Sequence, residues 1–274
     1  MKKDPRIKTF HKINEGLYSA RNVGLDNAHG EFIFCIDSDD YMRLDTLKIL
    51  YDLICEYDAD IVQCNFQKVD EDGNLIFSNN DEFDENIIYV YTRDEAFKAV
   101  NKPHEITTIS WGKLFKSNIF KNLRYPKCRI HEDEYLIHHV IGNANKVIVT
   151  GKKLYMYLQR NNSLMGNIKT KFYEWRYNDV FGAYLDRYEY FKQINNSEMT
   201  EDTRIFIYGF TLSMIGGGSY IKHKKFFDEK IKLTLELLKE SQKFKSRLRP
   251  LKIYYCLLKN IVKHFLHRFP MDQD

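Results

Sequence analysis

One short stretch constrains the fold most, because it joins an apolar run to a cluster of acidic residues. Residues 32–36 are apolar, Asp37, Asp39 and Asp40 follow at once, and a helical pattern comes next. Such a run predicts a buried strand, and open α/β sheets bind ligands at the carboxyl ends of their strands. Asp37 and Asp39 lie two positions apart, so both can face that crevice. The pair suits a hard divalent cation, although turn formation and a helix N-cap explain the same residues equally well.

The composition predicts an ordered cytoplasmic protein. Of the 274 residues, 43% are hydrophobic and 15% aromatic, which is enough for a sizeable core. The five cysteines are scattered without metal-binding spacing, a pattern typical of reduced thiols. The N-terminal residues do not resemble a signal peptide, and no apolar run approaches the length of a membrane span.

The positive charge is concentrated at the C-terminal end. Residues 241–274 carry eight basic and two acidic residues, whereas the whole chain has a net charge of +4. The preceding body is therefore slightly acidic, which argues against nucleic-acid binding. Within 241–270 the basic residues alternate with apolar and aromatic ones, which predicts a basic amphipathic helix on an anionic membrane surface. A helix packed on the body with a solvated basic face explains the pattern equally well.

Hydrophobic periodicity predicts alternating strands and helices in the first part of the chain, and helices alone beyond residue 171. The pattern predicts strands at 6–11, 31–36, 61–66, 87–91, 146–149 and 154–158, and helices at 17–28, 44–57, 93–100 and 135–142. Residues 70–74 predict a hairpin turn. This order predicts an α/β domain at 1–165 and an α-helical C-terminal region at 166–274.

Three motifs occur in a characteristic order. Residues 16–24 read Gly-Leu-Tyr-Ser-Ala-Arg-Asn-Val-Gly, residues 30–40 run from Gly-Glu-Phe-Ile to Asp-Ser-Asp-Asp, and Glu132 and Asp133 follow Trp-Gly-Lys-Leu at 111–114. Together they resemble the inverting glycosyltransferases of family 2, over about residues 1–165. The resemblance implies the GT-A fold, a nucleotide-diphosphate sugar donor, expected to be a UDP-sugar, and Mn²⁺ or Mg²⁺ as cofactor.

The resemblance also implies a donor site. Asp37 and Asp39 match the family's DxD motif, whose last aspartate usually ligates the metal ion and whose first lies near the ribose or the metal. Arg21 matches an arginine that faces the nucleotide base or its phosphates, although a surface helix residue is the alternative. Arg160 and Ser163 lie where family members carry a loop that contacts the diphosphate.

The same resemblance implies an acceptor site. Asp133 matches the catalytic base, which takes the proton from the acceptor hydroxyl as that oxygen attacks the sugar. An aspartate at the start of a helix is also an ordinary charge that favours the helix dipole. Glu132 is expected to hold the acceptor. Trp111 resembles an aromatic residue beside the acceptor, although burial in the core explains it equally well.

These matches predict a hexosyltransferase-type enzyme that acts with inversion on a glycan or lipid-linked acceptor, in cell-surface, capsular or exopolysaccharide synthesis. It would be cytoplasmic and peripheral on the inner face of the cell membrane, through residues 241–270. The sequence leaves open whether it forms an oligomer or pairs with a partner transferase. A nucleotidyltransferase shares an acidic metal site, but the sequence has no glycine-rich basic phosphate loop.

One departure from the family pattern concerns the N-terminal end. Family members normally carry two strand–helix units before the segment with which this sequence begins. The departure predicts unpaired strand edges and an incomplete nucleotide pocket, so that the chain alone would be poorly active. The alternative is an inactive family member that serves as the membrane-associated partner of an intact transferase.

Overall fold

The chain divides into a sheet-containing unit, residues 1–163, and a helical unit, residues 164–274, close to the boundary predicted at 165. The computed structural model describes residues 4–77, 84–100, 102, 104–127, 130–160, 174–216, 220, 222–241 and 249–259.

Within the described residues, seven strands form one mixed sheet in the first unit. They are β1 (Phe32–Phe34), β2 (Tyr41–Met42), β3 (Ile61–Val69), β4 (Leu75–Ile76), β5 (Ile88–Thr92), β6 (Lys113–Lys116) and β7 (Lys146–Leu158). The strand order is β1-β6-β3-β7-β2, with β4 paired to β3 and β5 paired to β7. Only β3 and β7 run parallel within this sheet; the other pairings are antiparallel. The parallel central pair with helical connections agrees with the predicted α/β class.

Four α-helices are described in this unit. They are α1 (Leu17–Asp26), α2 (Thr46–Glu56), α3 (Arg93–Ala99) and α4 (Glu132–Gly142). Of these, α2 packs its apolar face against the sheet. The apolar residues of α2 recur at helical spacing, and Leu50 and Ile54 are buried in one cluster with Val62 of β3 and Ile148 of β7. This burial fixes α2 against the centre of the sheet. The four helices predicted in this region are confirmed, with ends that differ by a few residues.

β7 is one long strand where the sequence predicts two short ones. Its first half pairs with β5 and its second half with β2, while β3 runs beside both halves. Gly151 lies at the change of partner, where its N–H donates to the Ile87 carbonyl at 2.9 Å. A Cβ at this position would overlap the carbonyl oxygen of Asp84. Gly151, which lies between the two predicted strands, admits a neighbouring segment of backbone.

The strand predicted at 6–11 is wrong. These residues carry no strand in the structure, and their apolar side chains Ile7 and Phe10 are 72% and 50% exposed. An apolar alternation forms a strand only where a neighbouring strand completes its hydrogen bonds, and no strand of the described chain pairs with this segment. β1 pairs with β6 on one side, and no described strand lies on its other side.

The second unit is a group of helices with its own core. It contains α5 (Glu174–Gln193), α6 (Ser197–Gly216) and α7 (Lys224–Lys239), and residues 249–259 are also helical. Apolar side chains from all four segments form one cluster, which includes Phe181, Ile207, Phe227 and Ile253. The predicted helical C-terminal region is therefore confirmed for the described residues.

The predicted amphipathic tail at 241–270 is only partly described. Residues 249–259 are helical, whereas 242–248 and 260–270 lie outside the described residues. None of the described helices combines the length and the apolarity that a membrane span requires.

Candidate active site

Arg21 of α1 lies at the centre of three carboxylates. Its Nη1 donates to Glu132 Oε1 at 2.7 Å and to Asp133 Oδ1 at 2.6 Å. Its Nη2 donates to Asp37 Oδ1 at 3.2 Å. The side chain is 9% exposed and lies over the ring of Tyr125, 5.4 Å from its centroid. Burial alone would lower the pKa of Arg21, but the surrounding acidic groups raise it above its ordinary value. Arg21 therefore places a fixed positive charge between residues from three different segments.

The neighbouring residue Asn22 anchors α1 at this point. Its Nδ2 donates to the carbonyl oxygen of Tyr125 at 2.8 Å, and the Tyr125 N–H donates to Asn22 Oδ1 at 2.8 Å. The two residues are 103 positions apart, so local sequence could not indicate the contact. The motif at residues 16–24 includes Asn22 but does not indicate this role.

Asp37 and Asp39 lie in the turn that follows β1. The turn is closed by the Asp40 N–H, which donates to the Asp37 carbonyl at 3.1 Å. Asp37 pairs with Arg21, and Asp39 Oδ2 pairs with Nη2 of Arg160. Four predicted donor-binding residues thus lie in two adjoining ion pairs, and their contact with a donor stays a prediction. The fifth, Ser163, lies outside the described residues.

Asp40 ties this turn to β7. Tyr155 Oη donates to Asp40 Oδ2 at 2.7 Å, and the Leu158 N–H donates to Oδ1 at 2.9 Å. The Asp37 N–H in turn donates to Tyr155 Oη at 3.1 Å. Burial raises the pKa of Asp40 above its usual range, although its hydrogen bonds oppose that shift. Both oxygens of Asp40 therefore hold the turn, a role that the sequence could not separate from ligand binding.

The first turn of α4 carries Glu132, Asp133 and Glu134 at its positive end. Asp133 Oδ1 accepts a second hydrogen bond from Ser110 Oγ at 2.6 Å, and Tyr125 Oη donates to that hydroxyl at 2.8 Å. A relay of two hydroxyl groups thus ends on the predicted base. Sequence reasoning missed Ser110 and Tyr125, because neither belongs to a pattern of charged residues.

The charges in this cluster do not balance within it. One guanidinium faces three carboxylates, and burial raises the pKa of Asp37 and of Glu132. The nearby carboxylate of Asp39 adds to the shift at Asp37. A divalent cation would relieve this repulsion, and carboxylate oxygens are ligands that Mg²⁺ and Mn²⁺ prefer. Asp37 and Asp39 each use one carboxylate oxygen toward an arginine, so their donor chemistry fits such an ion.

Trp111 lies in the aromatic core. It is 7% exposed and stacks on Tyr155 with the ring centroids 4.4 Å apart and the planes at 11°. Phe66 meets it edge-on at 5.2 Å, and Tyr157 lies beside it at the same distance. The ring therefore has a packing role here, which was the alternative interpretation of the sequence. A contact between Trp111 and an acceptor stays a prediction.

Known proteins resemble this chain in sequence and in fold. Residues 1–122 match the family model described as "Glycosyl transferase family 2". The chain is 34% identical over 167 residues to "Glycosyltransferase GlyA" of Streptococcus pneumoniae serotype 4, covering 59% of this chain and 24% of that protein. It is 31% identical over 180 residues to "Glycosyltransferase GlyG" of the same organism, covering 60% of this chain and 56% of that protein. The chain therefore spans between about a quarter and about half of the length of these relatives.

Among solved structures, S. aureus TarS 1–349 in complex with UDP-GlcNAc matches with a TM-score of 0.61. The sequence identity is 18%, and the match covers 93% of this chain and 72% of the TarS chain. The curled mixed sheet with its accompanying helices defines the GT-A fold of glycosyltransferases, as the sequence predicted. Residues 1–122 of the sheet-containing unit are thus similar to the glycosyltransferases of family 2.

Proposed function

We propose that the chain transfers a sugar from a nucleotide-diphosphate donor, expected to be a UDP-sugar, to a hydroxyl of a glycan or lipid-linked acceptor with inversion, in the synthesis of a cell-surface polysaccharide. The observation that carries this proposal is the convergence of Asp37 and Asp133 on the buried guanidinium of Arg21. A predicted donor ligand and the predicted base thus lie on two sides of a single group. TarS, which shares the fold, was solved in complex with UDP-GlcNAc, and this supports a nucleotide-sugar donor.

Asp133 is the proposed general base. It accepts the proton of the acceptor hydroxyl as that oxygen attacks the anomeric carbon from the face opposite the leaving diphosphate. Arg21 and Ser110 both donate to Oδ1, which orients the carboxylate before the acceptor arrives. Glu132 shares Arg21 with Asp133 and is proposed to hold the acceptor.

The donor side combines two carboxylates with two arginines. Asp37 and Asp39 would hold Mn²⁺ or Mg²⁺, which supplies positive charge to the departing diphosphate when bound. Arg21 and Arg160 neutralise the carboxylates in the ion pairs described above. Both guanidinium groups can also donate to phosphate oxygens, for which their planar donor geometry is well suited.

The assay for this proposal measures release of the nucleotide diphosphate from a panel of UDP-sugars with Mn²⁺, with and without lipid-linked acceptors. Asp133→Asn should lower turnover by at least about 100-fold, because it removes the proton acceptor without changing the size of the side chain. Asp52→Asn is the matched control, since Asp52 pairs with Lys48 on an exposed helix surface. Equal turnover of wild type and Asp133→Asn would refute the proposed base.

Donor binding can be measured without turnover. Isothermal titration of UDP in the presence of Mn²⁺ should give a Kd that Asp39→Asn weakens by about tenfold or more, because one of two proposed metal ligands is weakened. Removal of the metal with a chelator should have a similar effect on wild type and little further effect on Asp39→Asn. UDP binding that is unchanged by both treatments would contradict the proposed metal site.

We propose that the chain reaches a lipid-linked acceptor by lying on the membrane surface. The helix at 249–259 exposes one apolar face while Ile253 is buried in the helical core. That face consists of Leu251, Tyr254, Tyr255 and Leu258, which recur at helical spacing. Two exposed lysines, Lys252 and Lys259, border it. An apolar face with cationic borders is typical of helices that lie on anionic membranes.

Flotation with vesicles tests this contact. The wild type should float with vesicles that contain anionic lipid and remain unbound with purely zwitterionic vesicles. Replacing both Leu251 and Leu258 by Ser should reduce binding by about tenfold or more, since each buried leucine contributes about 1.5–3 kcal/mol. The control is Leu44→Ser, at a fully exposed leucine of the sheet-containing unit. Equal flotation of all three proteins would remove the membrane from the proposal.

A further inference from the structure

Lys113 of β6 is an enclosed lysine that the proposed reaction does not use. It is 1% exposed, and lysine is almost never buried without hydrogen-bond partners. Its Nζ donates to Thr107 Oγ1 at 2.8 Å and to the carbonyl oxygen of Ile109. Both partners lie in the segment 107–110, which precedes β6. Lys113 therefore reaches back along the chain and holds this segment.

The segment 107–110 joins Lys113 to the first turn of α4. Ser110 Oγ donates to Asp133 Oδ1 at 2.6 Å, and Thr108 Oγ1 donates to Glu134 Oε1 at 3.0 Å. A cavity of about 10 Å³ has Lys113, Ser110 and Asp133 on its walls, and this volume is close to that of one water. Lys113 and Asp133 thus both line a cavity that is too small for a sugar.

Charge couples the same two residues. Burial lowers the pKa of Lys113 to about 7, an effect that Arg21 strengthens and that Asp133, Cys64 and Cys35 oppose. These ionisable groups face Lys113 from α1, α4, β3 and the end of β1. Asp133 is first among the groups that favour the ammonium form of Lys113.

We propose that Lys113 is a positioning residue for Asp133. By holding the backbone of segment 107–110, it keeps the Ser110 hydroxyl against Oδ1 and gives the carboxylate one defined direction toward the acceptor. Lys113 cannot touch substrate, because it is enclosed on all sides. The positional part of this inference stands on the structure alone, whereas its effect on turnover rests on the proposed role of Asp133 as base.

Crystal structures test the positional part. Lys113→Met has a similar length and no donor, and Lys116→Met is the matched control on the same strand, where Lys116 pairs with Asp58 and Asp60 at 3.2 Å each. In Lys113→Met we expect the contact between Ser110 Oγ and Asp133 Oδ1 to lengthen beyond about 3.0 Å, the limit of such hydrogen bonds. In Lys116→Met it should stay at its wild-type length. A Lys113→Met structure with the contact intact would overturn the inference.

Steady-state kinetics tests the effect on turnover. Lys113→Met and Ser110→Ala should each lower kcat by about tenfold to 100-fold, with the KM of the donor unchanged. The double variant should be no slower than the slower single variant, since both changes interrupt one chain of contacts. Additive losses, or a loss of stability with kcat unchanged, would overturn the inference.

Two further variants keep the outcomes separate. If Lys113→Met does not fold, Thr107→Val is the alternative, because valine keeps the shape of threonine and removes the hydroxyl that accepts from Lys113. In this variant kcat should also fall. Unchanged kcat and an unchanged Ser110 contact in that variant would overturn the inference. Asp133→Asn with normal turnover would refute the proposed base, and the crystal structures would still decide whether Lys113 holds the segment.

Discussion

Replacing Arg21 by Met tests whether this guanidinium balances the carboxylate cluster. The variant keeps an apolar stem of similar length and removes the charge that three acidic side chains share at 2.6–3.2 Å. Removing one partner of a buried ion pair costs about 3–5 kcal/mol, because the remaining charge is left uncompensated. In a unit of this size, each 1 kcal/mol lowers Tm by about 2–4 °C. We therefore expect Tm to fall by about 10 °C near pH 8.

The loss should depend on pH in a defined direction. Burial already raises the pKa of Asp37 and of Glu132 in the wild type, and loss of Arg21 raises both further. The folded variant then holds protons that the unfolded chain releases above about pH 4, so its free energy of unfolding falls as the pH rises. Each additional pKa unit corresponds to about 1.4 kcal/mol. The destabilisation relative to wild type should consequently be at least about 1 kcal/mol larger at pH 8 than at pH 5.

Urea unfolding of both proteins at pH 5 and pH 8 measures this difference. The control is Arg43→Met, because Arg43 pairs with Asp45 at 2.7 Å on the surface, where both side chains are nearly half exposed. Its cost should stay within about 1 kcal/mol at either pH. A cost for Arg21→Met that equals the control, or that is the same at pH 5 and pH 8, would refute the electrostatic account of the cluster.

Three further predictions concern a buried lysine, the hydrogen bond that holds the turn after β1, and a close approach of backbone in β7. In the wild type, the free energy of unfolding should rise by about 2 kcal/mol between pH 7 and pH 9. In this window the unfolded chain keeps a proton on Lys113 that the folded chain, in which the pKa of this lysine is lowered to about 7, has released. Lys113→Met should remove the rise. Urea titrations of wild type and variant across this window measure the difference, and parallel pH profiles would contradict it. Tyr155→Phe should cost about 1.5–3 kcal/mol, because it removes the 2.7 Å donor to Asp40; thermal melts that match wild type would show that this hydrogen bond does not hold the turn. Gly151→Ala should lower the free energy of unfolding by about 3 kcal/mol, because its Cβ would overlap neighbouring backbone. Gly24→Ala is the comparison: this glycine has open space around it in α1, so the variant should gain about 0.5–1 kcal/mol. Equal Tm shifts for the two variants would refute the steric argument.

The sequence predicts well the elements whose burial is encoded locally. The spacing of apolar residues in α2 and the apolar residues within 61–66 of β3 each indicate a buried face, and both elements form where they are expected. The predictions fail where the outcome depends on a distant partner. Residues 6–11 alternate as a strand does and yet lack a described neighbour to pair with, while β7 continues through Gly151 because backbone from another segment packs there. Periodicity reports which face of an element is apolar, but not whether a hydrogen-bonding partner is available.

In the candidate site, too, some residues could be recognised from sequence patterns, whereas other contacts exist only in the folded chain. Its carboxylates cluster in the sequence, at 37–40 and at 132–134, because a turn after a strand and the first turn of a helix each favour several acidic residues in succession. The cations that oppose them stand alone in the sequence, Arg21 in α1 and Lys113 in β6, and both converge on Asp133. One is salt-bridged to the carboxylate, and the other acts through Ser110 and across a small cavity. A single buried cation has no sequence signature of its own, since its position matters only once the sheet brings its strand beside α4. The family motifs therefore pointed to the carboxylates and to Arg21, whereas the contact of Arg21 with Asp133 and the link from Lys113 through Ser110 could be found only in the folded chain.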